Sequence, residues 1–420
     1  MLVAAGSSRL ARRVALDTET MKTLALRNTS VVLPDRKATG VSVLIGEGKI
    51  VAVSDSVVAA DEELDLAGTT LFPGFIDVHI HGAVGVDANN TGAAGLNQVA
   101  NFLLRQGVTG WLPTLVPDSE ANYRKSVAAI DDAMQQQRVE NEQRGGLGAR
   151  VLGVHYEGPF VSEHQCGALR SPFFKSFATG EELNSLPRMR HSAAVHLMTM
   201  APEIEGGIAL IEALVKQHWV VSIGHTRASP AILDRALAAG ARHMTHFMNA
   251  MAPLHHRMPG PVGWGLLRDD VTCDVIADGK HIDPLVLRLL LKLKGYAGLA
   301  LISDSIAAAG LGDGDHQVWG ETITVKDGRT SNAQGSIAGS VITMLDAVRL
   351  LLSLGASEVE VARMAAANPA RLLGIDDECG SIVEGKRADL VALDQTGEVR
   401  LTIIGGLSEP PVVAGGPLNS

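Results

Sequence analysis

The chain has 420 residues, 46% of them hydrophobic, and a formal charge of −10 at neutral pH. That is enough apolar material for a large core plus a smaller second unit. The acidic balance, without a basic block or arginine stripe, argues against nucleic acid as a partner, and no apolar run reaches membrane-spanning length.

Residues 1–20, "MLVAAGSSRLARRVALDTET", carry Arg9, Arg12 and Arg13 and few acids, a composition with a faint likeness to a transit peptide. They lack a long apolar stretch, so the expectation is a dispensable, disordered extension. Met21 opens a more ordinary beginning. From there to about Thr70, "LALRNTSVVL", "GVSVLIGEGKIVAVS" and "LDLAGTTLFPG" read as short strands between Gly, Asp and Asn turns.

The middle of the chain repeats a strand followed by a helix or connector. The strand-like runs are "GFIDVHIHG", "GVTGWLPTL", "RVLGVHYEG", "AVHLMTMAPE", "WVVSIGHT", "RHMTHF", "VTCDVIADG" and "LALISDS". Among the intervening segments, "NSLPRMRHS" and "PAILDRALAAGA" supply helices or connectors. The second has Ser229 as a candidate N-cap, Pro230 in the first turn and Gly240 as the stop. About eight such units over roughly 300 residues predict a (β/α)8 TIM-like barrel over 73–379. An open doubly wound sheet would call for a Gly-rich phosphate loop after the first strand, which "VHIHGAVGVD" matches poorly. Towards the end, "GSIVEGKRADLVALD" and "EVRLTIIGG" are again β-type. The two β-rich ends, 21–72 plus 380–420, are expected to pair into a small discontinuous β-sandwich domain beside the barrel.

Three cysteines, Cys166, Cys273 and Cys379, stand far apart. This is no disulfide framework, and it suggests a reducing compartment, here read as cytoplasmic.

The chemistry gathers at strand ends. His79 and His81 lie two apart, so they project to the same face of the first barrel strand. Alone, such a pair is as readily two packed, hydrogen-bonded histidines as a metal site. Glu157, His225, His246 and Asp304 change the balance, because each follows an apolar strand at the end where barrel enzymes place their chemistry. Four imidazoles and two carboxylates suit a divalent metal such as zinc, iron or manganese. A structural zinc site would need closely spaced cysteines. His155, His243, His255 and His256 carry no such signal and read as structural or solvated. Nothing near Cys166 suggests an activated thiolate, and no G-x-S-x-G elbow supports serine chemistry.

The stretches "PGFIDVHIHG", "GVHYEGPF", "MTMAPE", "SIGHT", "THFMNAM", "HHRMPG", "IADGKH", "LISDS", "GSIAGS" and "NPARLLG" run along nearly the whole chain from about Met21 to residue 400. With them the chain resembles the amidohydrolase superfamily, and within it the N-acetylglucosamine-6-phosphate deacetylases. "EGPF", "NAM" and "IADGKH" are the specific part of that resemblance.

The resemblance implies metal-dependent hydrolysis of the acetamide of a phosphorylated N-acetyl amino sugar. It implies that Glu157, His225 and His246 hold the main metal. Some relatives lack the histidine pair and use one ion. Both are kept here, so a second site of His79, His81, bridging Glu157 and Asp304 is expected. That makes two ions of zinc, iron, manganese or cobalt. Asp304 matches the family's general base. The substrate contacts implied are Ala168, Asn249, Ala250, Arg257, Asp278, Gly279, Lys280, His281, Ile337, Ala338 and Gly339, with Arg257 and His281 suited to a phosphate. Relatives take a phosphate contact from a neighbouring subunit, which implies a homodimer.

One position departs from the family. "QCGALR" keeps Gly167 and Ala168 but has Leu169 where relatives carry a histidine that touches substrate. The galactosamine epimer becomes more plausible as substrate, and His164 or Arg170 could replace the lost contact. Two further readings are another N-acyl or cyclic-amide hydrolase and a non-catalytic scaffold. The first is disfavoured because Glu157 stands where many such relatives use a carboxylated lysine. The second is disfavoured because all six candidate ligands are present.

Overall fold

The computed structural model describes residues 22–56, 59–143 and 148–408. The expected extension at residues 1–20, and the last part of the second β-rich end, lie outside the described residues.

Eight parallel strands form the barrel: Phe75–Ile80, Val108–Leu115, Gly153–Glu157, Val195–Met200, Val220–Ile223, His243–Met244, Thr272–Ile276 and Leu299–Ile302. Each hydrogen-bonds the next in chain order. The ring closes just beyond the strand ends, where the Asp304 amide donates to the His79 carbonyl at 2.9 Å and the His81 amide to that of Ser305 at 2.8 Å. These bonds set the first and last strands side by side, and with them His79, His81 and Asp304. The expected barrel is therefore present, with all eight strands where the sequence suggested.

The helices wrap the ring with one apolar face inward. Ala93–Arg105 buries Leu96, Val99, Ala100, Leu103 and Leu104, the spacing of a single helical stripe. Pro230–Ala239 begins at Ser229 and stops at Gly240 (φ 114°), although the Ser229 side chain makes no capping bond. Met344–Ser353 is better capped, with Thr343 and Asp346 in a reciprocal box.

The third unit breaks the pattern. Residues between Glu157 and Val195 form loops with short 3-10 turns at Glu163–Gln165, Ser171–Phe173 and Glu181–Ser185. Pro159, Pro172 and Pro187, with Gly158, Gly167 and Gly180, interrupt any helix there. This long connection becomes one wall of the cavity at the barrel mouth. Another insertion, between Asp304 and Ser336, folds as a separate three-stranded antiparallel sheet: Gly314–Val318, Glu321–Lys326 and Arg329–Ser331.

Segments near both ends of the described chain meet in a second, eight-stranded sheet. Thr69–Pro73 pairs on one side with Leu24–Val32 and on the other with Leu390–Asp394. Its own core holds Leu26, Val43, Ile45, Leu71, Leu390 and Ile403. Arg150 fastens it to the barrel's lower rim, its guanidinium 2.9 Å from Asp389 and from Glu378.

Candidate metal centre at the barrel mouth

Six polar side chains converge on the C-terminal mouth of the barrel, and the backbone is bent to bring them there. His79 lies within the first strand, His81 just after it, and Glu157 ends the third. His225, His246 and Asp304 each stand two residues past a strand, and each has a left-handed backbone (φ 47°, 32° and 49°). Such values are rare for residues with a Cβ, and they cluster at functional sites where the surroundings enforce them. All six residues are at least nine-tenths buried.

Glu157 is the hub. Its Oε1 lies 2.9 Å from His225 Nε2, 3.0 Å from His246 Nε2 and 3.5 Å from His79 Nε2. Its Oε2 lies 3.3 Å from His81 Nε2. Asp304 Oδ1 stands 3.2 Å from His81 Nε2 and 3.5 Å from His79 Nε2. Two triads thus share one carboxylate: His79, His81 and Glu157, and Glu157, His225 and His246.

Three of the imidazoles are oriented from behind. Nδ1 of His81, His225 and His246 donates to the carbonyls of Thr114, Gln165 and Asn249 at 3.2, 2.8 and 3.2 Å. That turns Nε2 of each ring toward the centre, the atom whose lone pair a neutral imidazole would offer to an ion. The Nε2 atoms of His225 and His246 are 3.0 Å apart, and two lone pairs at that distance are compatible when both point at a cation. Imidazole nitrogens and carboxylate oxygens in two buried sets fit one or two divalent ions. Burial pushes the Glu157 carboxyl up, but His79, His225 and His246 outweigh it and hold the group well below its ordinary value. Burial likewise raises Asp304, and His79 and His81 more than reverse it. Both carboxylates are therefore ionised.

A second tier supports these groups, and sequence reasoning missed its acids. Asp274 accepts the His246 amide on Oδ1 and His243 Nε2 on Oδ2, the latter at 3.0 Å. Asp77 accepts the Ser303 hydroxyl at 2.5 Å and the amides of Ser303 and His79 at 3.3 Å. Burial raises the Asp77 carboxyl to about 6 against these bonds. The available signal was a carboxylate inside an apolar strand, "FIDVHIH" and "VTCDVIA", which a barrel would bury. His155 and His243, set aside from sequence, belong to this tier.

The mouth opens into a cavity of about 440 Å³ lined by ligands and by Ala168, Asn249, Ala250, His281, Ile337 and Gly339. Asn249 Nδ2 is buried and makes no hydrogen bond within the protein. Asp278 orients His281 by accepting Nδ1 at 2.7 Å. Gly339 (φ 57°) has no room for a side chain, since a Cβ would lie 2.6 Å from Ile306 and 3.0 Å from the Asp304 carbonyl. The adjacent Ser340 amide donates to that carbonyl at 2.7 Å, so the segment fixes the Asp304 backbone.

Other expected contacts lie elsewhere. Asp278 and Gly279 sit behind His281. Lys280 is exposed and donates to the Asp327 carbonyl of the inserted sheet. Ala338 is packed with Ile306 and Val318. Arg257 lies on an exposed loop. Arg170, offered as a replacement for the missing histidine, is 2.9 Å from Asp118 and outside the cavity, whereas His164 lines it. Leu169 also lines the cavity, buried beside Val116 and Val161. A larger cavity of about 670 Å³ at the opposite end, between barrel and terminal sheet, holds Arg138, Arg150 and Arg387 but neither triad.

Residues 70–411 match the model of the amidohydrolase family. The chain is 34% identical over 389 residues to the N-acetylglucosamine-6-phosphate deacetylase of Bacillus subtilis (strain 168), covering 92% of this chain and 96% of that one. It is 35% identical to the N-acetylgalactosamine-6-phosphate deacetylase of Escherichia coli O157:H7, over 81% of this chain and 89% of the other. The crystal structure of N-acetylglucosamine-6-phosphate deacetylase from Pasteurella multocida superposes with a TM-score of 0.83 at 28% identity, covering 92% of this chain and 99% of that one.

Proposed function

The chain belongs to the amidohydrolase family, among its N-acetylglucosamine-6-phosphate deacetylases, and on that premise we propose that it hydrolyses N-acetylglucosamine 6-phosphate to glucosamine 6-phosphate and acetate. The observation that carries the reading is the pair of ligand triads sharing Glu157, with Asp304 beside them, at the floor of a cavity bearing Asn249 and His281.

An amide is a weak electrophile with a poor leaving group, so the site must supply a nucleophile, polarise the carbonyl and protonate the nitrogen. A divalent ion bound at the triads would acidify a water and polarise the carbonyl oxygen. Asp304, ionised and fixed through its own backbone, takes the water's proton and returns it to the departing nitrogen. Asn249 Nδ2 is a buried donor without a protein partner, suited to a sugar hydroxyl or the acyl oxygen. Asp278 holds His281 ready to donate to an anion. We favour two ions, because His79 and His81 stand together beside Glu157 and Asp304, with His81 on the Glu157 oxygen that His225 does not touch. Two metals per chain by elemental analysis is the expected result. One metal per chain at full activity would reject the second site.

A dianionic phosphate calls for more positive charge than His281 and His164, yet no Lys or Arg lines the cavity among the described residues. Arg257 is exposed between exposed Leu254 and Met258. This supports a homodimer in which each Arg257 completes the partner's site. Cys166, Cys273 and Cys379 are free thiols, which supports a reducing compartment such as the cytoplasm. No helix among the described residues is long and apolar enough to cross a membrane.

Leu169 and the similarity to a galactosamine-phosphate enzyme favour one second reading, the galacto epimer. The deciding experiment is a deacetylation assay on both 6-phosphate epimers and on the unphosphorylated sugars, with several metals. Faster turnover of the gluco phosphate is expected. A preference for the galacto phosphate would replace the first reading with the second, and inactivity on every phosphorylated sugar would overturn both.

A further inference from the structure

The inserted three-stranded sheet contains its own control experiment. Two tight turns connect its strands. Trp319–Gly320 joins Gly314–Val318 to Glu321–Lys326, and both turn residues have positive φ (53° and 83°). Asp327–Gly328 joins the second strand to Arg329–Ser331, again at positive φ (51° and 67°). This is the geometry of a type I′ turn, which selects Asn-Gly or Asp-Gly because larger L residues resist a left-handed backbone. The second turn obeys the rule, and Asp313 caps it by accepting the amides of Asp327 and Gly328. The first violates it with the largest side chain available. Local preference does not explain Trp319; its surroundings must.

Those surroundings are the catalytic cavity. Trp319 lines it, and its ring meets the His81 ring edge-on, with centroids 5.0 Å apart and planes at 85°. On its other side it packs with Leu169 against Val116 and Val161. The turn therefore drives an indole into the end of the cavity above the His79–His81 triad, and Leu169 backs it.

The reacting amide explains what such a wall is for. Its carbonyl carbon carries three groups. The oxygen must meet the polar centre, and the nitrogen leads to the sugar beside Asn249 and His281. The acyl chain takes the remaining direction, and its first methyl is one bond from the reacting carbon. An apolar wall for it must therefore stand against the metal ligands themselves. Trp319 presents the largest aromatic face lining the cavity and is in ring contact with one of them, although its Nε1–H is a buried polar group; Leu169 lines the cavity beside it. We propose that Trp319, backed by Leu169, forms the wall of the acyl pocket and limits the substrate to an acetyl-sized amide, an inference that rests on the deacylase reading above.

The test compares N-acetyl, N-propionyl and N-butyryl forms of the same hexosamine 6-phosphate on wild-type protein, Trp319→Phe and Trp319→Asn. Asparagine suits the turn, so the sheet should survive. Each ratio of kcat/KM is taken within one enzyme, so losses of folded or metal-loaded protein cancel. The propionyl-to-acetyl ratio should rise at least ~10-fold in Trp319→Asn, the scale of one methylene in an apolar pocket. Trp319→Phe should fall between, and the butyryl ratio should change more. Unchanged ratios would overturn the proposal while leaving the deacetylase reading intact. Loss of turnover on every acyl form in both variants, with metal content retained, would also overturn it, because the indole would then serve the chemistry rather than acyl length. A wild-type protein inactive on the acetyl substrate would remove the reading and the proposal together.

Discussion

The barrel holds two layers of buried histidines, and burial does not tell them apart. His79, His81, His225 and His246 at the mouth are 0–4% exposed, and His155 and His243 below them are each 1% exposed. The difference is in what the ring nitrogens face. In the lower layer every one has a partner. His155 Nδ1 donates to the Val78 carbonyl at 3.0 Å, and its Nε2 accepts from Thr199 at 2.8 Å. Thr199 in turn accepts from Thr245, which accepts from Ser222, so both threonine hydroxyls have a donor and an acceptor role. In the upper layer the Nε2 atoms face one another and two carboxylates. A closed network of this kind is structure; a convergent set of imidazole nitrogens and carboxylates is an arrangement that could hold a cation.

Removing the shared carboxylate should break that distinction most sharply. Glu157 serves both triads, so Glu157→Ala should abolish metal retention at both and lower kcat/KM at least ~10,000-fold, several kcal/mol of transition-state stabilisation. Elemental analysis beside the assay reads both effects, and a variant that kept its metal would show that Glu157 is not the ligand the two triads share. Asp304→Asn comes next. It keeps the shape but removes the base, so kcat should fall ~100- to 10,000-fold with KM little changed and the His225–His246 ion retained. A loss confined to KM would move Asp304 from proton transfer to substrate binding.

How much of this was legible in the sequence follows from the same contrast. A strand's period of two places His79 and His81 on one face, and residues at the ends of apolar strands fall at the mouth of a barrel. The six candidate ligands could therefore be named from pattern alone. Strand period also puts His155 on the face of Glu157, two residues before it, yet nothing local says whether its partner is a threonine or an ion. That depends on Thr199 and Thr245, contributed by other strands. Asp274 was hidden for a similar reason, as its partners His246 and His243 are 28 and 31 residues upstream. Trp319 was hidden more deeply, because a turn that violates its own residue preference can be recognised only once its backbone is seen. Arg257 and Lys280 show the converse, since neither lines the cavity of its own chain. A motif names residues that travel together, while the fold decides which of them face the cavity.

Asp274 joins the two layers and sharpens the comparison. One oxygen holds the amide of His246 and the other holds His243, so it stabilises the left-handed backbone that aims His246 at the centre. Asp274→Asn keeps the volume but replaces one acceptor with a donor. Metal affinity should fall ~10- to 100-fold, the usual scale for groups that orient ligands, and added metal should restore most of the turnover. Failure of excess metal to rescue activity would mean that Asp274 acts on something other than ligand placement.

The smallest effect belongs to the lower layer. Thr199→Val is nearly isosteric but leaves His155 Nε2 without a donor and Thr245 without an acceptor. Burial, reinforced by neighbouring His79, holds His155 well below its ordinary pKa, so the ring stays neutral and cannot escape by taking up a proton. Its lone pair stays unsatisfied in a dry interior. Stability to denaturant should therefore drop by about 1–3 kcal/mol, while metal content stays as in the wild type and kcat/KM stays within ~3-fold. The His155 ring lies only 4.5 Å from His79, which makes the test strict. If Thr199→Val instead released metal at unchanged stability, the two layers would be one functional unit, and the hydroxyl chain beneath the mouth would be part of the site.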